Sequence, residues 1–397
     1  MTGSTARCRV AVVTGLPAPY REPVFAELSR RPGIELRVFY AAKGHADVGW
    51  VGESVRREYD HRFLRNYMPE RGRRLPLVGY LTLGLPGELR RFQPDYLIIY
   101  GYNQLSQCLA FAFALRHQVP FALRSDSNAL LDTRTDWKSR SRRQCVRAIV
   151  RRAHAVLPVG SLNRRFWEGL GATPTQVFPA PYAVANEQIA RIASGIWRDP
   201  LAPTRLLYVG RLLPRKGVDL LMHAFNQIVP TTDATLTMVG DGPLRGELQA
   251  MQSEQARSRT RWLGKVPNRT AVEEMGRADL FVLPSRYEPW GLVINEAMAA
   301  GLPVIAHRHV GAAVDLIVPN ETGWTFDELH SNSLAETLHR ALVDRSRLRE
   351  MGQLAQERIQ HWSIAGTVDG MLAAIRNALP GFDPAIPVEP RREVTYA

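Results

Sequence analysis

Short apolar runs rich in Val, Ile, Leu and aromatic residues recur along the chain, each followed by a turn signal and then by helically spaced apolar positions. In the first half the runs Val10–Val13, Leu36–Tyr40, Tyr96–Tyr100, Phe121–Leu123 and Val156–Val159 predict strands, with helices over Pro23–Arg30 and Gln104–Arg116. The pattern restarts after the turn-rich stretch Asp199–Thr204. There Arg205–Gly210, Ala234–Gly240, Arg261–Gly264, Leu280–Pro284 and Val304–Ala306 predict strands, and helices are predicted near Val218–Ile228, Leu244–Ser253 and Gly291–Ala300. Such alternation is the mark of parallel, doubly wound α/β sheets. Two domains are expected, residues 1–200 and 201–379, and the last helix of the second can return to the first. Residues 380–397, punctuated by Pro380, Pro384, Pro387 and Pro390, are expected to be an irregular tail. Ligands of doubly wound sheets bind beyond the carboxyl ends of the strands, so an interdomain cleft is the expected site.

With 397 residues, 45% hydrophobic and 22% charged, the composition is that of a globular chain and excludes a disordered or coiled-coil protein. Cys108–Leu123, the longest apolar stretch, is broken by Arg116, His117 and Gln118, so no membrane span is expected. The opening strand and turn are unlike an export signal. Cys8, Cys108 and Cys145 are too far apart for a C-x-x-C pair, so a reducing cytoplasm is the expected compartment. Charge changes the picture more. The net +13 is distributed as +14 over residues 1–200 and −1 over the remainder, so the first half is expected to meet something anionic.

The richest constellation is the run from Pro284 to Ile305, PSRYEPWGLVINEAMAAGLPVI. A strand ends at Pro284, a loop carries Glu288, and a helix beginning near Gly291 carries Glu296. Free N–H groups at that helix start suit phosphate oxygens, and a carboxylate further along suits a ribose diol. The two glutamates could equally be a solvated first turn complementing the helix dipole. Gly210-Arg211-Leu-Leu-Pro-Arg215-Lys216-Gly217 also follows a strand, and its cations suit a diphosphate, although a plain basic turn has the same residues. The loop Gly240-Asp241-Gly242-Pro243 has Arg245 in place of a third glycine, which argues against a nicotinamide site and leaves a tight turn as the alternative.

Together these loops resemble the donor half of the retaining glycosyltransferases of family 4, whose GT-B architecture is two Rossmann-like domains facing a cleft. The likeness is strongest from Gly210 to Phe326 and includes the Glu-x7-Glu signature of Glu288 and Glu296. It implies that Arg211 and Lys216 bind the donor diphosphate, that Glu296 binds the ribose, and that Glu288 contacts the transferred sugar beside the backbone of Gly291, Leu292 and Val293. Arg211, Lys216 and Glu288 are then the catalytic residues. Gly15, Gly210, Gly242, Lys265 and Val266 complete the donor-binding set, the last two matching the segment that lines the base. In the first half, Gly15-Leu-Pro-Ala-Pro-Tyr20-Arg21 resembles a Pro-x-Pro-Tyr-Arg form of one branch of the family. Where many members have a sugar-contacting histidine, this chain has Arg124-Ser-Asp126-Ser-Asn128. Tyr20, Arg21, Arg124 and Asp126 are therefore candidate acceptor or sugar contacts, and a proline-shaped turn and a helix cap are their alternatives.

The function implied is transfer of a sugar, with retained anomeric configuration, from a nucleotide diphosphate sugar to an acceptor hydroxyl. The expected enzyme is hexosyltransferase-like and needs no cofactor or metal. His307 and His309 lack a neighbouring acidic cluster, and no D-x-D occurs. The acceptor is expected to be lipid-linked or a cell-envelope glycan, with the protein peripheral at the inner face of the membrane. Arg140, Arg143, Arg147 and Arg151 would form one basic stripe on a helix, opposite Val146, Ile149, Val150 and Ala153. Alternatives are a soluble small-molecule acceptor and a non-catalytic nucleotide- or glycan-binding protein. Nucleic acid is not an expected partner, since no basic-aromatic motif accompanies the charge.

Overall fold

The computed structural model describes residues 7–43, 57–67, 80–128, 137–197, 202–327 and 331–382. Most of the expected tail, part of the 199–204 break and parts of the basic stretches 56–74 and 134–165 lie outside them. The described residues form two compact units, one within 7–182 and 364–382 and the other within 183–363.

Unit 1 holds one six-stranded sheet of β1 (Cys8–Thr14), β2 (Ile34–Tyr40), β3 (Asp60–Phe63), β4 (Tyr96–Tyr100), β5 (Phe121–Arg124) and β6 (Ala155–Val156). Its strands run parallel in the order β3-β2-β1-β4-β5-β6. β1 shows why the sheet is covered on both faces. Val10 and Val12 enter a core with Phe25 and Leu28 of the helix Glu22–Arg30, while Ala11 and Val13 point into a second core with Leu89 and Trp167. Burial on both sides is what a continuous apolar strand requires. The helix Ile364–Ala378 supplies Val368, Met371, Leu372 and Ile375 to the first of these cores, and Thr367 Oγ1 donates to the Pro181 carbonyl at 2.6 Å.

Unit 2 repeats the architecture with β7 (Thr204–Val209), β8 (Ala234–Val239), β9 (Thr260–Gly264), β10 (Leu280–Leu283), β11 (Val304–His307) and β12 (Gly323–Phe326), all parallel, in the order β12-β11-β10-β7-β8-β9. The helix Asn186–Ser194 belongs to this unit, so the division falls at Tyr182 and Ala183 rather than at the turn-rich break. Asn186 anchors it, its side-chain amide donating to the carbonyls of Ile359 (2.9 Å) and Trp362 (3.2 Å).

Ten of the strands fall on the predicted apolar runs, with β6 shorter than expected. β3 and β12 are additional. β3 reads Asp-His-Arg-Phe and pairs on one side only, as an edge strand whose side chains stay half in water. The predicted helix over 244–253 is two pieces, Arg245–Ala250 and Glu254–Ser258, because Ser253 caps the second through its Oγ, which accepts from the Ala256 N–H. Each sheet has a switch point where successive connections leave in opposite directions, between β1 and β4 in unit 1 and between β7 and β10 in unit 2. These are the crevices where doubly wound folds hold ligands.

Candidate functional site

In unit 2 the loops beyond β7, β8, β9 and β10 are tied edge to edge by their backbones. Gly210 N–H donates to the Val239 carbonyl (2.9 Å), Leu212 N–H to Asp241 (3.0 Å), Gly240 N–H to Gly264 (2.8 Å) and Arg286 N–H to Arg215 (3.0 Å). Two glycines make this closeness possible. A Cβ on Gly240 (φ +128°) would sit 1.9 Å from the Gly210 carbonyl oxygen, and one on Gly217 (φ +62°) would sit 2.0 Å from that of Pro284. No other residue fits at either place. Gly210, Gly242, Lys265 and Val266 thus share one rim, with Lys265 exposed and Val266 half-buried.

Across the switch point the loops meet through Glu288. Its carboxylate is 94% buried and is held from three sides: Lys216 Nζ contacts Oε1, Arg215 Nη1 donates to Oε2 at 3.1 Å, and Ser285 Oγ donates to Oε1 at 3.2 Å. A buried carboxylate needs such partners. Lys216 and Glu288 were both candidates from sequence; Arg215 and Ser285 were not singled out. Arg215 was visible in the motif, but only the fold shows that it, and not Arg211, joins Lys216 on Glu288. Arg211 lies on the same loop with its side chain exposed, and no carboxylate among the described residues pairs with it.

Gly291 (φ +99°) opens the helix Leu292–Ala299, and Trp290 Nε1 ties the turn to the helix by donating to Asn295 Oδ1 at 2.8 Å. The N–H groups of Leu292 and Val293 lie in the first turn, which has no intrahelical acceptors. Glu296 follows in the same helix. No donor among the described residues reaches its carboxylate, and although part of its surface still meets solvent, burial pushes its pKa up to about 7. The two glutamates therefore have opposite surroundings: Glu288 is ion-paired with two cations, and Glu296 has no donor among the described residues.

The other candidates lie in unit 1. Gly15 follows β1 at that sheet's switch point, where an added Cβ would meet Gln104 Oε1 at 3.0 Å. Tyr20, Arg21, Arg124 and Asp126 gather at the carboxyl ends of β1, β4 and β5 around Tyr100 and Tyr182. His307 is buried and holds no metal-binding geometry: Nδ1 accepts from the His309 N–H at 3.2 Å, Nε2 lies 3.2 Å from the Asp327 carbonyl, and burial lowers its pKa to about 4. Among the described residues no group of three His, Cys, Asp or Glu side chains could hold a metal, and no helix is long and apolar enough to cross a membrane. The basic helix is Trp137–Val150, so Arg151 and Ala153 of the expected stripe lie past its end, and its apolar side is committed to the protein: Val146 and Val150, with Ala153 beyond the helix, are buried in the unit 1 core and Ile149 packs against it. Arg140, Arg143 and Arg151 remain exposed.

Residues 195–358 match the family described as glycosyl transferases group 1. Over 155 residues the chain is 34% identical to the N-acetyl-alpha-D-glucosaminyl L-malate synthase of Bacillus anthracis, covering 39% of this chain and 40% of that relative. It is 28% identical over 288 residues to a glycogen synthase of Mycobacterium tuberculosis, covering 70% and 67% respectively. The first curated relatives are thus matched over about two fifths of their own length. Among solved structures, sucrose-phosphate synthase from Thermosynechococcus elongatus has a TM-score of 0.69 at 21% identity, covering 94% of this chain and 100% of that one. HepE of Anabaena, solved in complex with UDP, has a TM-score of 0.70 at 18% identity, covering 93% and 99%. With two parallel six-stranded sheets and a rim of loops at the switch point of the second, the chain has the GT-B fold, and residues 195–358, most of unit 2, are similar to the group 1 glycosyl transferases.

Proposed function

We propose that the protein transfers a sugar from a nucleotide diphosphate sugar to an acceptor hydroxyl, with the donor held at the switch point of unit 2. The observation that carries this reading is the contrast between Glu288, buried under Lys216 and Arg215, and Glu296, which has no donor among the described residues and a pKa pushed up to about 7 by burial. A diphosphate supplies the anion that the cations lack once Glu288 is shared, and a ribose diol supplies the hydrogen-bond donors that Glu296 lacks. Arg211, Lys216 and Arg215 then face the diphosphate together with the N–H groups of Leu292 and Val293. Lys265 and Val266 stand on the rim beside the base, and Glu288 orients the transferred sugar.

In the step itself the bond from the anomeric carbon to the diphosphate oxygen breaks while the bond to the acceptor oxygen forms on the same face, and the acceptor proton passes to the leaving phosphate. Configuration is retained. The charge that develops on the leaving group is met by fixed cations and helix N–H groups, which is where catalytic stabilisation is largest. The step draws its positive charge from Lys216, Arg211 and Arg215, so turnover is expected to survive EDTA. On the acceptor side, the exposed arginines of the helix Trp137–Val150 favour a lipid-linked acceptor met at an anionic surface, by charge alone because the apolar face is internal. Flotation with anionic vesicles at low salt, compared with a chain carrying glutamine at 140, 143, 147 and 151, tests this contact; equal flotation would favour a soluble acceptor. Donor turnover measured in wild type and in Lys216→Ala tests the function itself.

A further inference from the structure

We infer that the cluster at the carboxyl ends of β1, β4 and β5 in unit 1 seats a carboxylate or phosphate group carried by one of the two substrates, an inference that rests on the glycosyl-transfer reading. Two guanidinium groups lie against one ring: Arg21 is 5.0 Å and Arg124 is 5.7 Å from the centre of Tyr100. Arg21 is also 5.3 Å from the Tyr20 ring, and Arg124 is 5.4 Å from the Tyr182 ring. Tyr20 and Tyr182 meet edge to face at 5.8 Å, closing the box.

One nitrogen of each guanidinium is tied down, Arg21 Nη1 to Thr14 Oγ1 at 2.9 Å and Arg124 Nη1 to the Ala180 carbonyl at 2.6 Å. The Nε of Arg21, the Nε of Arg124 and the Oγ of Ser125 are buried and have no hydrogen-bond partner among the described residues. Most other guanidiniums with an unbonded Nε are balanced differently, although Arg358, which lies over Trp362, also lacks an ion pair among the described residues. Arg31, Arg57, Arg205 and Arg345 each have a carboxylate within 4 Å, whereas neither Arg21 nor Arg124 has one among the described residues. Arg124 is 97% buried, and a buried cation without a counter-ion is costly. Among the described residues Asp126 is the acidic group that acts on Arg21, and it leaves the pair with an excess positive charge.

Aromatic faces hold guanidinium planes while leaving their edges free, and an edge is the side that bonds a carboxylate or phosphate. Arg21 is half-buried and Arg124 more deeply buried, so an anion would approach the pair from the Arg21 side. Unlike Arg358, which stands alone, Arg21 and Arg124 are two cations against one ring, so they repel each other unless an anion joins them.

Titration calorimetry on the full chain with malonate and with inorganic phosphate tests the site. Wild type and Lys216→Ala, which removes one of the unit 2 cations, are expected to show the same Arg21-dependent binding. Arg21→Gln is expected to lose roughly ten- to hundredfold in affinity, the range for a charge-assisted hydrogen bond. Asp126→Asn is expected to bind more tightly, which loss of packing would not produce. Titrating UDP-glucuronate against UDP-glucose, and glycerol phosphate against glycerol, shows whether sugar or acceptor carries the anion, by which pair loses its preference for the charged member in Arg21→Gln. Equal anion affinity in wild type and Arg21→Gln, or no binding to wild type at millimolar anion, overturns the inference. Arg21-dependent anion binding in a chain that turns over no nucleotide sugar would instead contradict the glycosyl-transfer reading and leave the anion site standing.

Discussion

Arg286 and Asp219, 67 residues apart, form a two-bonded guanidinium–carboxylate pair, with Nη1 to Oδ1 at 2.8 Å and Nη2 to Oδ2 at 2.6 Å. Arg286 Nη1 also donates to the Pro214 carbonyl at 2.6 Å. The pair fastens the loop carrying Arg215 and Lys216 to the loop carrying Glu288. Burial pushes the Asp219 carboxyl up, but the hydrogen bonds from Arg286 outweigh it and leave its pKa below the usual value. Arg286→Lys keeps the charge and loses the fork, so turnover should fall roughly tenfold or more through misplacement of Lys216. Stability should change by only about 1 kcal/mol, since both side chains are one-third exposed. Steady-state kinetics beside a thermal melt would show the split; an unchanged rate would mean that the backbone bonds alone hold the loops.

Lys216→Ala is expected to slow turnover by roughly two to three orders of magnitude, the scale for losing one preorganised charge donor. The fold should persist, because Glu288 keeps Arg215 and Ser285. Wild-type turnover in a folded variant would remove Lys216 from the chemistry.

The Glu296 carboxyl, with a folded pKa of about 7 against an ordinary 4.5, gives a pH signature. The folded chain keeps this proton where an unfolded chain has lost it, so the group contributes most to stability below about pH 4.5 and that contribution is lost as pH rises through 7. Ribose hydroxyls donate to the charged carboxylate. Affinity for a nucleotide diphosphate sugar should therefore climb from pH 5.5 to 7.5, by up to about tenfold per unit, and level off above. Glu296→Gln should bind more weakly and without that slope. A slope that survives in the variant would assign the proton elsewhere.

His307 makes the converse prediction. Burial lowers its pKa to about 4 from an ordinary 6.5, so the unfolded chain takes up a proton that the folded chain refuses. Stability present above pH 6.5 should be lost as pH falls towards 4, by roughly 3 kcal/mol at most. Denaturant melts of wild type and His307→Gln across that window should converge as the medium is acidified. Parallel curves would show that another group titrates.

How much of this was legible in the sequence follows from what each feature depends on. Ten strands were visible because a strand covered on both faces must be apolar throughout, as in Val10–Val13 and Leu280–Leu283. β3 was invisible because an edge strand carries no such demand, and its Asp-His-Arg-Phe pattern resembles a loop. Lys216 and Glu288 could be named from motifs that follow strand ends. The Arg286–Asp219 fastening and the Arg21–Arg124 box could not, since pairs separated by 67 and 103 residues leave no local spacing to read. The basic helix misled in part: Val146 and Val150 looked available to a bilayer, yet the same periodicity serves a core-facing stripe, and in the fold they are buried.

The proposed function requires that the switch-point loops of unit 2 hold a nucleotide diphosphate sugar and consume it. Transfer assays with UDP-, GDP-, ADP- and TDP-sugars, read as release of nucleotide diphosphate in the presence of hydroxyl acceptors and compared between wild type and Lys216→Ala, test it most directly. One donor turned over by wild type and hardly at all by Lys216→Ala is the predicted result. Nucleotide sugars bound with equal affinity by both and turned over by neither would contradict it.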